Sequence, residues 1–434
     1  MGTQGDSTES GTETAEVATW TELFAVPGVG LLFLVQALST WGDYIARLAV
    51  AAVVYAWTQS PLATATTLAV SLLPAVFGRS LLSPLVDRFH FRSVLVGSAA
   101  ARGVLVVALI TAVQLSLPLL VLLCLLVLLE LLGAPAATAA QVMWAELLPD
   151  RRHFVRAMGL AALSDQANQA VGLALGGLLI GLVGVSTGLV LDLATFAVVV
   201  VVVLAVVRPG TAASSPPRLR VLGSLRSGLR FIGRDPVLVR LLALSAVSTL
   251  AVIAPEAVAI PYAGEDRSWG GLLMSAPIAG AAIGVLVVSR WAPRVANARL
   301  LPMAVLMPLP LLLTAFHPSL ALTWLLWCAS GVFQAFMLPL QSTFTLVVPQ
   351  ERRGTLLGLA ASVSVGVSGA AYLVAGWLAE HTTPAAAVTV CAVVCLGGLL
   401  LVGGTWPRRQ LESVVSRVYG VDGPAGPGTA ASRG

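Results

Sequence analysis

The chain has no lysine and little charge of either sign. Its 434 residues include 25 basic residues, all of them arginine, and 20 acidic residues, so that only 10% are charged, whereas an average soluble domain has about 25%. A water-soluble fold could not cover its surface with so few charges. The absence of lysine also excludes the nucleotide-binding motif G-x-x-x-x-G-K-[ST]. We therefore expect no nucleotide-driven pump within this chain.

Cysteine and histidine are also scarce. The four cysteines lie within apolar runs and the four histidines are scattered, so neither type has the paired spacing of a disulfide framework or a zinc site. No metal or cofactor is therefore expected. The sequence "GVSTG" at 184–188 matches the hydrolase pattern G-x-S-x-G, but that pattern needs a strand before it and a helix after it. Here it falls in a predicted turn between helices, so we expect no enzyme.

The N-terminal residues carry no secretory signal. Residues 1–22 are polar and contain no basic residue, whereas a signal peptide begins with a positive region followed by an apolar core. We expect this segment, and the chain after about residue 420, to be disordered.

What the chain has in abundance is long apolar runs. Hydrophobic residues make up 57% of it, and the mean hydropathy is +0.92. Runs of about 18 or more apolar residues are typical of membrane-spanning helices, so the sequence predicts an all-α integral membrane protein. Charges, prolines and glycines divide the runs into twelve predicted spans, numbered in chain order: 30–57, 62–86, 93–115, 118–146, 155–183, 186–207, 236–262, 268–289, 298–316, 319–348, 354–379 and 384–405.

The arginines orient these spans. They cluster in alternate loops: seven lie between residues 208 and 240, while the other set of loops holds only Arg267. Short loops rich in arginine stay on the cytoplasmic side of a membrane. The pattern therefore predicts a multi-pass protein of the cell inner (plasma) membrane with both termini in the cytoplasm.

The longest loop divides the spans into six plus six. It opens as a flexible Pro/Ser/Ala linker and continues with leucines on one helical face and arginines on another, which indicates an amphipathic helix at the membrane surface. The sequence "MGLAALS" at 158–164 recurs as "LGLAASV" at 357–363, which indicates a parallel duplication. The predicted organisation is a tail (1–29), a six-helix bundle (30–207), a linker with an amphipathic helix (208–235), a second six-helix bundle (236–405) and a tail (406–434).

Polar side chains form stripes within several spans. In span 1, Gln36, Asp43 and Arg47 share one helical face. A charge at mid-bilayer costs about 2.5–3.5 kcal/mol, which makes each such residue a functional candidate. Similar stripes on spans 4, 7 and 10 and a polar face on span 5 predict a water-filled central pathway. Its candidate residues are Gln36, Asp43, Arg47, Glu130, Gln141, Asp165, Asn168, Glu256, Gln334 and Gln341.

A simpler interpretation is open for each stripe. Polar residues also hold membrane helices together, at about 0.6 kcal/mol per hydrogen bond. Asp43 and Arg47 stand four residues apart and could neutralise each other. Arg102 in span 3 and Asp192 in span 6 look isolated on their helices, and a structural pair between these two is equally open.

Several motifs resemble those of the major facilitator superfamily. The stretch "SPLVDRFHFRSVL" at 83–95 resembles the loop 2–3 signature G-x-L-x-D-R-x-G-R-[RK], with Ser83 at the glycine and His90-Phe91 in place of Gly-Arg. Three segments are similar to the enterobactin-exporter and multidrug-efflux branch, although span 4 lacks the Asp-Pro-Ala-Arg turn of that branch. They are "GDYIARLAVAAVVY" at 42–55, "SLRSGLRFIGRDPVLVRLL" at 224–242 and "VPQERRGTLLGL" at 348–359.

The resemblance implies the major facilitator fold, in which two six-helix bundles related by a pseudo-two-fold axis rock about a central site lined by spans 1, 4, 7 and 10. It also implies a cytoplasmic gate whose bonds form in one conformation and break in the other. The alternative is that the arginines there only hold the loops inside. The implied gate residues are Asp87, Arg88, Arg92, Glu351 and Arg353.

These features together predict a secondary active transporter that exports amphipathic small molecules and is driven by protons entering the cell. Its expected partners are a small-molecule substrate, protons and the lipid bilayer; we expect a monomer and no nucleic acid. Uptake or facilitated diffusion of a small solute is the alternative within transport. A membrane enzyme or a non-transporting receptor or scaffold is the alternative from other classes.

Overall fold

The computed structural model describes residues 20–72, 74, 89–148, 150–208, 230–264, 266–348 and 353–406, and every regular element in these ranges is helical. Each predicted span corresponds to one or more helices. They are Val29–Thr58 (span 1), Pro61–Ser71 (the described part of span 2), Phe91–Gln114 (span 3), Leu119–Leu147 (span 4), Arg151–Val183 (span 5), Val185–Val206 (span 6), Pro236–Ala263 (span 7), Arg267–Val288 (span 8), Pro293–Leu306, Leu309–Leu312 and the 3-10 helix Leu313–Phe316 (span 9), Leu320–Gln334 and Met337–Val347 (span 10), Arg353–His381 (span 11) and Pro384–Gly404 (span 12).

Most of these helical segments are long and apolar enough to cross a membrane. Within the described ranges 10 meet that criterion, and spans 2 and 5 are the two predicted spans that are not among them. Only part of span 2 is described, and the apolar segment found in span 5 is the short one at Ala167–Val183. The all-α membrane architecture is confirmed, and the number twelve stays a prediction.

The chain becomes helical earlier than the sequence predicts. A short helix, Trp20–Ala25, begins within the segment 1–22 that we expected to be disordered. Its Leu23 is fully buried, and the Phe24 ring meets the Phe33 ring of span 1 edge-on, with 6.3 Å between centroids. Burial of Leu23 and the contact between Phe24 and Phe33 offset the entropy lost on ordering, which accounts for the difference.

Spans 9 and 10 are interrupted rather than continuous. Span 9 breaks at Pro308 and Pro310, because proline lacks the N–H that a continuing helix requires. Main-chain groups freed within a membrane must find partners in the protein. The Ser330 hydroxyl of span 10 supplies one, since it donates to the carbonyl oxygen of Met307 beside the break at 2.7 Å. Ser330 therefore packs spans 9 and 10 together instead of lining a pathway.

Two helix starts follow from capping residues placed before proline. The Asp235 carboxylate accepts hydrogen bonds from the main-chain N–H groups of Val237 and Leu238, at 2.8 and 3.3 Å. The Thr383 hydroxyl accepts one from the N–H of Ala386 at 3.1 Å. Each cap satisfies N–H groups that a first helical turn leaves free, and it fixes where spans 7 and 12 begin.

Glycines bring the two halves of the chain into close contact. Gly177 of span 5 lies so near span 8 that a methyl group built on it would be 2.6 Å from the Cα of Gly271. Gly376 of span 11 approaches span 2 similarly, and a methyl group there would be 3.2 Å from the Cα of Leu62. Small residues allow membrane helices to pack backbone to backbone. Both contacts lie near the helix ends that the arginine pattern places on the outer side of the membrane.

A polar contact joins the halves at the same end. The Glu380 carboxylate of span 11 accepts hydrogen bonds from the Ser60 hydroxyl at 2.8 Å and from the Leu62 N–H at 3.2 Å. These groups stand at the first turn of span 2, where the helix dipole favours an anion. Glu380 thus caps a helix of the other half of the chain.

Some predicted features fall on residues that the structure does not describe. The described residues 230–234 of the predicted linker helix are helical, and residues 209–229 lie outside the described ranges. The bundle and linker boundaries therefore stay predictions.

The contact between spans 5 and 8 can be tested by adding one methyl group. Gly177→Ala should destabilise the protein by about 1–3 kcal/mol, since overpacking forces the two backbones apart. Thermal unfolding of the purified protein in detergent measures the effect. Gly366→Ala is the matched control, because among the described residues no atom beyond its own stretch of helix lies within 4 Å of the added methyl group. Equal unfolding temperatures for the two variants would contradict the close packing.

Candidate functional site

The first half of the chain contains a cavity of about 360 Å³, lined by spans 1, 2, 3, 4 and 6. Leucine, valine, alanine and methionine side chains form most of its wall toward the predicted inner ends of these helices. Spans 1 and 4 line it as predicted, whereas spans 7 and 10 do not. The polar lining residues are Gln36, Ser39, Thr40, Asp43, Arg47, Ser71, Ser98, Arg102 and Glu130.

One ion pair links spans 1 and 4 at the cavity wall. The Arg47 guanidinium donates two hydrogen bonds to Oε1 of Glu130, from Nη2 at 2.6 Å and from Nε at 3.1 Å. The side chains are 19% and 17% exposed, so the pair is largely removed from solvent. Charge-assisted bonds of this length are strong, and they neutralise both charges.

A second ion pair links spans 1 and 3. The Arg102 Nη2 donates to Oδ1 of Asp43 at 2.6 Å, and its Nε donates to the carbonyl oxygen of Leu129 at 3.2 Å. The guanidinium also lies over the Phe196 ring, 4.6 Å from its centroid. Asp43 therefore does not pair with Arg47. Two residues four apart share a helical face, but each here reaches a partner on a different helix.

Asp192 is placed unusually for an acid in a membrane helix. Its side chain is fully buried, and among the described residues neither carboxylate oxygen has a hydrogen-bond partner beyond the neighbouring Thr195 hydroxyl. The Thr195 hydroxyl donates to the main-chain carbonyl of Asp192 at 2.7 Å. Gly42 of span 1 makes room for this carboxylate, since a methyl group on Gly42 would collide with it. The pair between Arg102 and Asp192 that the sequence left open does not form, because Arg102 is held by Asp43.

A further acid comes from the second half of the chain. Glu256 of span 7 lies near Tyr372 of span 11, and the charge of Arg47 acts on both residues. Arg47 also lies 5.2 Å from the ring centroid of Tyr44. We call Tyr44, Arg47, Glu130, Glu256 and Tyr372 the central cluster. It contains residues from both halves of the chain.

Comparison with known proteins identifies the family. A family model described as Major Facilitator Superfamily matches residues 32–361, which is more than half of the 434-residue chain. The chain belongs to the Major Facilitator Superfamily. It is a multi-pass membrane protein, and its helical architecture is that of this superfamily.

Individual relatives are distant. A curated relative, the multidrug efflux pump Tap of Mycolicibacterium fortuitum, is 29% identical over 167 residues, which are 37% of this chain. The chain covers only 40% of that relative's length in the match.

Solved transporters show the same fold. The nucleoside transporter NupG is 11% identical with a TM-score of 0.64, over 86% of this chain and 99% of that one. A POT family transporter in complex with a thioalcohol-conjugated peptide is 11% identical with a TM-score of 0.66, over 87% of this chain and 96% of that one.

The remaining residues that the sequence predicts to line the central pathway do not lie together. The Asn168 side-chain oxygen accepts a hydrogen bond from Nε1 of Trp41 at 3.0 Å, which joins span 5 to span 1. Gln141 and Gln341 are exposed and Gln334 is half-buried, and none of the three lines the cavity. The side chain of Asp165 lies outside the described part of the structure.

One predicted gate residue is described in full. The Arg92 Nη2 donates to the carbonyl oxygen of Leu204 at 2.9 Å, in the last turn of span 6. A helix C-terminus attracts a cation, which accounts for this partner. The remaining gate positions lie outside the described residues or side chains: Asp87, Arg88, Glu351 and Arg353.

Sequence reasoning missed several residues of the site. Arg102 and Asp192 were treated as isolated, and the two tyrosines Tyr44 and Tyr372 were not singled out. One signal was available for Arg102. Because so few charges occur within the spans, each arginine there needs an acid on another helix, and Asp43, Glu130 and Asp192 are acids within the other spans of the first half.

The pairing at the cavity wall makes a specific prediction about stability. Arg47→Gln should lower the yield of folded protein, because it leaves Glu130 without a counter-ion. Breaking a fully buried pair costs about 3–5 kcal/mol, and the cost here is smaller because the cavity reaches both side chains. Thermal unfolding of the purified variants in detergent measures it.

Two matched double variants test whether Glu130 or Asp43 is the ion-pair partner of Arg47. Arg47→Gln combined with Glu130→Gln should recover most of the lost stability, since no unpaired charge remains. Arg47→Gln combined with Asp43→Asn should not recover the lost stability, since Glu130 still has no counter-ion. Recovery in the second combination alone would show that Arg47 pairs with Asp43 after all.

Proposed function

We propose that this protein is a proton-coupled exporter of amphipathic small molecules, such as drugs, siderophores or secondary metabolites. The observation that carries the proposal is the position of Asp43. Its side chain is 28% exposed and lies in the cavity wall, where it forms an ion pair with Arg102. An acid that is reached from the cavity and held by a buried cation can exchange a proton and change the charge of the site when it does.

The cavity fits the proposed substrates. Its volume of about 360 Å³ lies in the usual range for small-molecule sites, roughly 300–1,000 Å³. An apolar wall with a few polar groups at one end suits an amphipathic compound, which has both an apolar part and a polar part. The relative named as a multidrug efflux pump supports export of this class.

The contacts between the halves support alternating access. Spans 5 and 8, and spans 2 and 11, pack through Gly177 and Gly376 at the predicted outer end. The cavity extends from Asp43 to Leu32 and Val203, near the predicted inner ends of spans 1 and 6. On the orientation given by the arginines, this arrangement corresponds to a conformation that is closed toward the outside. Rocking of the two bundles then opens the opposite side.

The central cluster supplies a route for coupling. Arg47 and Glu130 belong to the first half, and Glu256 and Tyr372 belong to the second. A proton or a charged substrate that changes the balance among these groups alters the attraction between the halves. Such differential interaction is what shifts a conformational equilibrium.

The cellular setting of the proposal follows from the sequence. The arginine pattern supports a plasma-membrane protein with cytoplasmic termini. The loop 2–3 motif with Asp87 and Arg88 supports a cytoplasmic gate, and we retain the bundle boundaries at 30–207 and 236–405.

The role of Asp43 can be tested with one isosteric substitution. Asp43→Asn keeps the shape of the side chain but removes its ability to take up and release a proton. The variant should still exchange ethidium, used as an amphipathic probe, between the two sides of a membrane. It should lose uphill ethidium transport driven by a pH gradient. Proteoliposomes containing the purified variant measure both activities, and Asp43→Glu, which keeps an acid, is the matched control.

A double variant separates proton transfer from simple neutralisation. If Asp43 serves only to neutralise Arg102, then Asp43→Asn combined with Arg102→Gln should restore gradient-driven transport. Restored coupling would eliminate Asp43 as the proton carrier and leave Glu256 as the candidate. Continued loss of coupling in a well-folded double variant agrees with the proposal.

A further inference from the structure

The buried carboxyl group of Asp192 has no role in the transport scheme above. It is fully buried, it does not line the cavity, and among the described residues its carboxylate oxygens have no counter-ion and no hydrogen-bond partner apart from the adjacent Thr195 hydroxyl. An ionised carboxylate in such surroundings is very costly, and a buried acid without a counter-ion takes up a proton instead. The position of Asp192 therefore indicates a neutral, protonated acid in this conformation.

The charge count around Asp192 agrees with a neutral side chain. The charged groups that act on it are Asp43, Arg102 and Glu130, from spans 1, 3 and 4. Arg102 is already neutralised by Asp43 at 2.6 Å, and Glu130 by Arg47 at 2.6 Å. An ionised Asp192 would add an unpaired negative charge to a set that is balanced without it.

Arg102 also lies close to the helix that carries Asp192. Its guanidinium pairs with Asp43, is anchored through Nε on the carbonyl oxygen of Leu129 and lies over the ring of Phe196, one helical turn after Asp192 on span 6. Gly42 lets the Asp192 carboxylate approach the span 1 backbone next to Asp43. The same cation thus pairs with an acid that faces the cavity and packs against span 6 one turn from an acid that does not line it.

We propose that Asp43 and Asp192 share one proton and that Arg102 exchanges between them. In this conformation Asp192 holds the proton and Asp43 is ionised and paired with Arg102. In the alternative state the O–H bond at Asp192 breaks, an O–H bond forms at Asp43, and Arg102 pairs with the ionised Asp192. No other reactant is consumed and the net charge is unchanged. The inference rests on the proposed proton coupling, and it explains how a buried proton comes to face the cavity.

Infrared spectroscopy of the purified protein at neutral pH tests this directly. A protonated carboxyl group has a carbonyl stretch separate from that of a carboxylate, and the stretch shifts in heavy water. We expect Asp192→Asn to lose a band of a single carboxyl group relative to the wild type. Asp43→Asn should lose the same band although Asp43 is not protonated in the wild type, because Arg102 loses its partner and Asp192 ionises to replace it. Asp266→Asn removes an exposed acid and should leave the band unchanged.

The yield of folded protein in membranes gives a second, independent measurement. Each single variant leaves Arg102 with one acid, so both should accumulate to nearly the wild-type level. The double variant Asp43→Asn with Asp192→Asn leaves Arg102 without an anion and should accumulate far less than either. A double variant as abundant as the single variants would overturn the exchange.

The outcomes separate this inference from the proposed function. The inference of a shared proton is overturned if the protonated-carboxyl band of the wild type persists in Asp192→Asn. It is also overturned if that band is unchanged in Asp43→Asn. If Asp192→Asn does not fold, the comparison of Asp43→Asn with the wild type still decides the question. If the infrared bands change as expected but the wild type shows no uphill transport, the proposed function is overturned. The inference that Asp43 and Asp192 share a proton would then still hold.

Discussion

A charge inside a bilayer must be neutralised by another part of the protein, and this constraint organises the first half of the chain. Leaving one unpaired costs about 2.5–3.5 kcal/mol on insertion scales. Arg47 and Arg102 each find an acid on a different helix, at Glu130 and Asp43. Since both pairs include span 1, they fix it against spans 3 and 4. The cavity is the space that these cross-linked helices leave between them.

Much of the fold was predictable because each helix carries its own signals. Apolar runs fixed the spans, and capping residues such as Asp235 fixed where helices start. The face of span 1 with Asp43 and Arg47 was also found, since helical spacing is a property of one helix. The helix at Trp20–Ala25 was missed because it depends on packing between elements, and the interruptions of spans 9 and 10 were also missed, although the prolines at the break in span 9 are visible in the sequence.

The partners of the charged residues could not be predicted in the same way. Helical spacing places Asp43 and Arg47 on one face, which suggests a local pair, whereas the preferred partners come from spans 3 and 4. Tyr372 illustrates the same limit, since its importance comes from its position beside Glu256. The sequence shows that Asp192 lies within span 6, but its burial away from a counter-ion is seen only when the surroundings of each atom are known.

Proton coupling is the central claim, and the movement of protons against ethidium tests it most directly. Purified protein is placed in liposomes with a trapped pH-sensitive dye and an ethidium gradient but no pH gradient. The account predicts that ethidium flow down its gradient moves protons in the opposite direction, so that the internal pH changes only when protein and ethidium are both present. Protein-dependent ethidium flow with no change in internal pH would contradict it.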